Sequence, residues 1–169
     1  MAKSTFSGPV RSLAGFINAG YNSVVSLTAD TTITVALHAG RPLLCNDADG
    51  KFTLPSIVVT EPTDKTDPNQ LANLGAQFTF IVVTAATDMD ITTDGTDKFV
   101  GGSYTGLDDS AAGKSFISAA ANDTFTQNGT TKGGLVGSIV VFTAMASAKY
   151  HVAGQLLGSG TLVTPFADA

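Results

Sequence analysis

The chain has one cysteine, two histidines and one glutamate in 169 residues. A lone Cys45 closes no intrachain disulfide, so the fold must be held by packing or by assembly, and a small buried apolar role is the reading of this thiol. His38 stands beside a turn and His151 alternates with Tyr150 and Val152, and neither neighbours a Cys or Ser in a nucleophile motif. One cysteine and two separated histidines are too few ligands for a structural zinc site. Basic residues are also scarce, nine against fourteen acids for a formal charge of −5, which argues against affinity drawn from nucleic-acid phosphates. Long apolar runs are missing too. The N-terminus lacks a continuous signal-type apolar stretch, and no run approaches the roughly 20 apolar residues that span a bilayer, so the expectation is a soluble product of the cytosol.

What the chain does have is a contrast between its ends. Residues 1–22 hold Lys3 and Arg11 and no acid, while the remainder carries all fourteen acids. With 43% apolar residues, the length suits one core, so the expected organisation is an arm over 1–22 and a single β body over 23–169. In the arm, Phe6, Val10, Leu13, Phe16 and Ile17 recur at three- and four-residue spacing, Ser7 suits a cap, Pro9 an early helical position and Gly20 an end. A short amphipathic helix and an extended arm with apolar anchors both satisfy that spacing, since Gly8 and Gly15 weaken the helix. Ordering about twenty residues costs on the order of 20 to 40 kcal/mol. The arm therefore stays ordered only if its anchors are buried, either on its own body or on a partner.

The body reads as short apolar or alternating runs rich in Val, Ile, Thr and Phe, punctuated by Gly, Asn and Asp. Strands are expected over 23–28, 31–37, 42–45, 51–54, 77–84, 98–104, 115–118, 124–127, 135–143 and 149–157. Their rhythm predicts an all-β, antiparallel sandwich or barrel, jelly-roll-like, with the arm attached. His38-Ala39-Gly40 and Ala48-Asp49-Gly50 place Gly where a tight turn can need positive φ, and Asn128-Gly129 is the strongest hairpin signal, so consecutive strands are expected to pair antiparallel. The runs at Gln77 to Val83 and Ile139 to Phe142 are apolar on both faces, which predicts central strands covered on two sides. Residues 61–69 are polar, hold Pro62 and Pro68, and read as an exposed loop.

Tests for chemistry fail one by one. Asp47-Ala48-Asp49-Gly50, and Asp88-Met89-Asp90 followed by Asp94-Gly95, resemble pieces of calcium loops, but no Glu closes either, so they read as solvated turn acids. Ala112-Gly113-Lys114-Ser115 resembles the end of a phosphate-binding loop, yet Asp108 stands where the first Gly belongs. Asn122-Asp123-Thr124 and Asn128-Gly129-Thr130 match glycosylation acceptors and are read as turns. Phe78, Phe80 and Phe142 lie in runs that predict core packing rather than a stacking platform. Acid pairs such as Asp88 with Asp90 or Asp108 with Asp109 are the sole material for glycoside hydrolysis, and adjacent turn acids commonly face solvent separately. No catalytic residue, cofactor or metal is expected.

Several motifs together carry a family likeness. Ser4 to Val10, Ser12-Leu13 and Gly15-Phe16 in the arm are joined by Leu27-Thr28-Ala29, His38 to Arg41, Phe52 to Pro55 and Phe78 to Val82. The likeness continues through Asn128 to Leu135, Gly158 to Thr161 and Thr164-Pro165-Phe166. This set resembles the small capsid decoration, or cement, proteins of marine tailed bacteriophages. The resemblance implies a virion structural protein on the outer capsid surface that holds neighbouring major capsid subunits together, commonly as a small symmetric oligomer with a trimer favoured. It implies no enzymatic activity. On that reading Lys3 and Arg11 meet acidic capsid surface while Phe6, Val10, Leu13, Phe16 and Ile17 enter grooves. A head-fibre or host-glycan-binding module using residues 61–69 is the alternative.

Overall fold

The computed structural model describes residues 24–63, 66, 70–107 and 112–168. Twelve strands and one turn of helix are found among them. In chain order they are β1 (Val25–Leu27), β2 (Thr31–Thr32), α1 (Val35–His38), β3 (Pro42–Cys45), β4 (Lys51–Thr53), β5 (Gln77–Val82) and β6 (Met89–Thr92). The second half adds β7 (Lys98–Leu107), β8 (Lys114–Ile117), β9 (Thr124–Gln127), β10 (Ile139–Ala146), β11 (Lys149–Gly158) and β12 (Phe166–Ala167). They form a seven-stranded sheet in the order β1-β3-β5-β10-β11-β7-β8 and a five-stranded sheet in the order β12-β9-β6-β4-β2.

The chain is almost wholly β, as its composition predicts, but the sheets are mixed rather than antiparallel. β1 pairs with β3, β3 with β5, β2 with β4, β4 with β6 and β7 with β11, all parallel. Parallel neighbours need a crossover, which in most proteins is a helix. For the four pairs among β1 to β6 the crossover is a strand of the other sheet, because the first six strands alternate between the two sheets. Each turn in this stretch therefore carries the chain from one layer to the other, and the expected run of antiparallel neighbours does not form. Asn128-Gly129 is a case in point. Gly129 has φ +69° as the signal predicts, yet the turn closes on itself through a Thr130 to Gly133 bridge and leads from the five-stranded to the seven-stranded sheet.

Other local expectations also change. The run at 31–37 is not one strand, since β2 ends at Thr32 and Val35–His38 makes a helical turn behind Thr34. β6 occupies residues read as turn acids. Met89 and Ile91 are fully buried while Asp90 and Thr92 are half-buried on the other side, so the period-two pattern prevails over the two carboxylates. Gly50 lacks the positive φ expected of it. Its role is close approach, because a Cβ there would lie 2.6 Å from the buried ring of Phe52.

The inward residues of both sheets make one cluster. Phe52 of β4 stacks on Phe80 of β5 at 5.9 Å, and Phe125 of β9 meets Phe142 of β10 edge to face at 5.8 Å, so rings from the two sheets interlock. Phe78, Phe80 and Phe142 are buried as expected. β5 and β10 are adjacent in the middle of their sheet, so the central placement holds, but the cover on both sides does not: Ile81 and Val141 are half-buried and Ile139 is exposed on the outer side.

One turn gives the fold an acid response. Asp94 has a lowered pKa; burial acts to raise it, but hydrogen bonds from Ser56 Oγ at 2.7 Å and from the Asp97 and Thr96 amides at 3.1 and 2.9 Å outweigh burial. A carboxylate with a lowered folded pKa contributes stability that is present above its unfolded pKa and lost as pH falls through the folded one. Asp97, raised mainly by burial, acts in the opposite sense. Asp94→Asn is therefore expected to flatten the fall in Tm between about pH 5 and about pH 3, read by circular dichroism.

Candidate contact surfaces

The residues expected to make the main contact, Lys3, Phe6, Val10, Arg11, Leu13, Phe16 and Ile17, lie outside the described residues. What the structure places is the point where they join the body. The chain enters at Val24 and passes at once into β1, an edge strand of the larger sheet. Arg41 holds this entry, donating from Nη2 to the Val24 carbonyl at 3.2 Å and from Nη1 to the Leu37 carbonyl at 2.8 Å. The described chain thus begins at a sheet edge.

The acidic turns come together more than their sequence separation suggests. Thr28, Ala29, Asp30, Asp47, Asp49 and Lys51 line an open depression of about 530 Å³. Asp30 Oδ1 accepts from the Lys51 amide at 2.8 Å, fixing one wall. The Asp47 carboxyl is raised in pKa, by removal from water and then by the hydrogen bond and charge of Asp49. Lys51 Nζ turns away, to Asp90 Oδ2 at 2.8 Å and Asp88 Oδ2 at 3.1 Å. Asp88 and Asp90 therefore share a lysine, which is not the arrangement of an acid and a base facing each other across a sugar. No group of three or more His, Cys, Asp or Glu suited to a metal ion occurs among the described residues. Residues 61–63 form no strand, with Glu61 and Thr63 exposed, consistent with the expected loop; Asp64, Lys65, Asp67, Pro68 and Asn69, like Asp108 and Asp109, are outside the described residues.

The histidines and the cysteine stand on three different elements, α1, β11 and β3. His38 is 6% exposed, and its Nδ1 accepts from the Thr34 amide at 2.9 Å. Burial lowers its pKa, with Arg41 adding to the effect. His151 projects outward from β11. Cys45 is fully buried and burial pushes its thiol up to about 12, so the expected inert packing role fits. Gln127 presents an unforeseen feature: it is fully buried at the end of β9, and neither atom of its amide has a hydrogen-bond partner.

The surface that sequence reasoning missed is the outer face of the seven-stranded sheet. Register aligns Leu44, Ile81, Ile139, Gln155 and Tyr104 across five strands, and Thr79, Val141, Ala153, Gly102 and Ile117 in the next row. The signal was present in the alternate positions of Gln77-Phe78-Thr79-Phe80-Ile81 and His151-Val152-Ala153-Gly154-Gln155, whose outward set carries no formal charge. Without the strand order, those positions could not be joined into one surface. No helix among the described residues is long and apolar enough to cross a membrane. Comparison with protein-family models, with curated proteins and with solved structures finds no match.

Proposed function

We propose that this chain is a non-enzymatic structural protein of a phage virion, made in the host cytoplasm, that decorates and cements the outer capsid surface by binding neighbouring major capsid subunits. The observation that carries the reading is the contrast between a basic, acid-free segment bearing five apolar anchors and an acidic β body. The body is read as a two-layered sandwich with its aromatic core between the sheets. A jelly-roll order needs antiparallel neighbours throughout, so only the two-layer arrangement is kept. In this reading the segment over 1–22 docks into grooves between capsid subunits, Lys3 and Arg11 steer it toward acidic surface, and the body rides above. Many copies, assembled as small symmetric oligomers with a trimer favoured at shell three-fold sites, add their weak contacts by avidity. Because the protein binds the assembled shell and not its free subunits, each contact stabilises the particle by linkage.

The placement of the acidic depression on the body allows a direct comparison. Phe6→Ala with Phe16→Ala is expected to weaken coating of empty capsids by at least about tenfold, from two lost buried anchors, while Asp47→Ala with Asp49→Ala leaves coating within about twofold. Co-sedimentation of protein with shells reads both. Equal losses would move the contact from the arm to the turns.

A further inference from the structure

The outer face of the large sheet is broad and its described strands present no carboxylate on it, with Lys98 and Lys149 standing beyond its last uncharged row. Its three aligned rows, from Gln77, Thr143, His151 and Val100 at one end to the Leu44, Ile81, Ile139 and Tyr104 row, contain no Asp, Glu, Lys or Arg. Apolar side chains stand open on it, Ile117 at 82% exposure and Tyr104 at 46%. The inner face accounts for the core by itself, so these outward residues are not needed to close the fold. Apolar patches of this extent on a folded surface mark contact sites.

We propose that this face is the contact surface between copies of the chain. Charge selects that occupant. Two copies, each at −5, repel through most of their surface, and they approach with least repulsion through a face that bears no carboxylate. A strongly basic partner would instead be drawn to the acidic turns. Area agrees with a weak, reversible contact: the seventeen outward positions of the three rows, at about 4.8 by 6.8 Å each, give roughly 550 Å², below the roughly 800 Å² per partner of a standard interface. Val141 and Ile139 lie near the middle of this area, beside Thr79 and Gln155 respectively.

The inference concerns the free protein and does not depend on the shell reading, which coating assays test separately. Light scattering on the full chain is expected to give a multiple of 17.2 kDa that falls on dilution. Ile139→Lys with Ile117→Lys puts two cations on the face without touching the core, and is expected to reduce the mass to that of one chain with an unchanged circular dichroism spectrum. Leu37→Lys, exposed to a degree between those two but on α1, is expected to leave the oligomer intact. A monomeric wild-type chain, or an oligomer that survives both face lysines, would overturn the proposal. So would a monomer whose β10 and β11 outer residues are shielded from hydroxyl-radical labelling until residues 2–20 are deleted, because the occupant would then be the chain's own N-terminal segment.

Discussion

Phe142→Ala is expected to cost about 3 to 5 kcal/mol, the largest single-residue loss of stability in the molecule. Phe142 is fully buried and its ring meets three others, Phe80 at 5.8 Å, Phe99 at 5.1 Å and Phe125 at 5.8 Å. Two of these belong to its own sheet and Phe125 to the other, so the ring is a bolt between layers. Truncation removes the transfer energy of the ring and opens a cavity that neighbouring β strands cannot collapse to fill. A further 0.5 to 1.5 kcal/mol or so attaches to each well-oriented aromatic pair. Since a domain of this kind has a net stability of about 5 to 15 kcal/mol, a loss of that size approaches or reaches unfolding at ambient temperature. Phe142→Leu keeps most of the volume and is expected to lose about half as much. Equilibrium urea denaturation checks both: the midpoint should fall while the slope is kept. A Phe142→Ala loss under about 1 kcal/mol would mean that the sheets do not share a core.

Deletion of residues 2–20 has the largest expected effect on function. It removes all seven residues assigned to the capsid contact, Lys3, Phe6, Val10, Arg11, Leu13, Phe16 and Ile17. The described core, from Leu27 onward, is retained in full. The truncated chain is therefore expected to fold with the same far-ultraviolet spectrum and nearly the same urea midpoint. Coating of empty capsids, by contrast, is expected to fall by at least about 100-fold, because losing the anchor of every copy removes the avidity along with the single contact. If the truncated protein still coats shells at full occupancy, the body makes the contact and the arm is only a tether.

The sequence made the strand content and the core legible for a physical reason. Period-two burial is local, so Phe78, Phe80, Phe142, Tyr150 and Val152 were assignable from their neighbours alone. Pairing is not local. A turn every ten residues looks the same whether the chain reverses within a sheet or steps to the opposite layer, and only the second happens between β1 and β6. β6 was hidden because Asp88 and Asp90 read as a solvated turn, when Lys51 of the parallel neighbour β4 in fact pairs with both, at 3.1 and 2.8 Å. A partner 39 residues away in sequence, as Lys51 is from Asp90, leaves no local trace. The same blindness concealed the carboxylate-free outer face, since its rows combine strands whose order only the fold supplies. The N-terminal anchors are an expectation from spacing and charge, and lie outside the described residues.

The most direct test of the central claim is an image reconstruction of the decorated particle. The account predicts β density above the outer shell, centred at sites between major capsid subunits, with residues 1–22 running down from the β1 edge into grooves and Phe6 and Phe16 buried there. Density confined to a tail or fibre, or a body that touches the shell through the acidic turns while residues 1–22 point away from it, would contradict it.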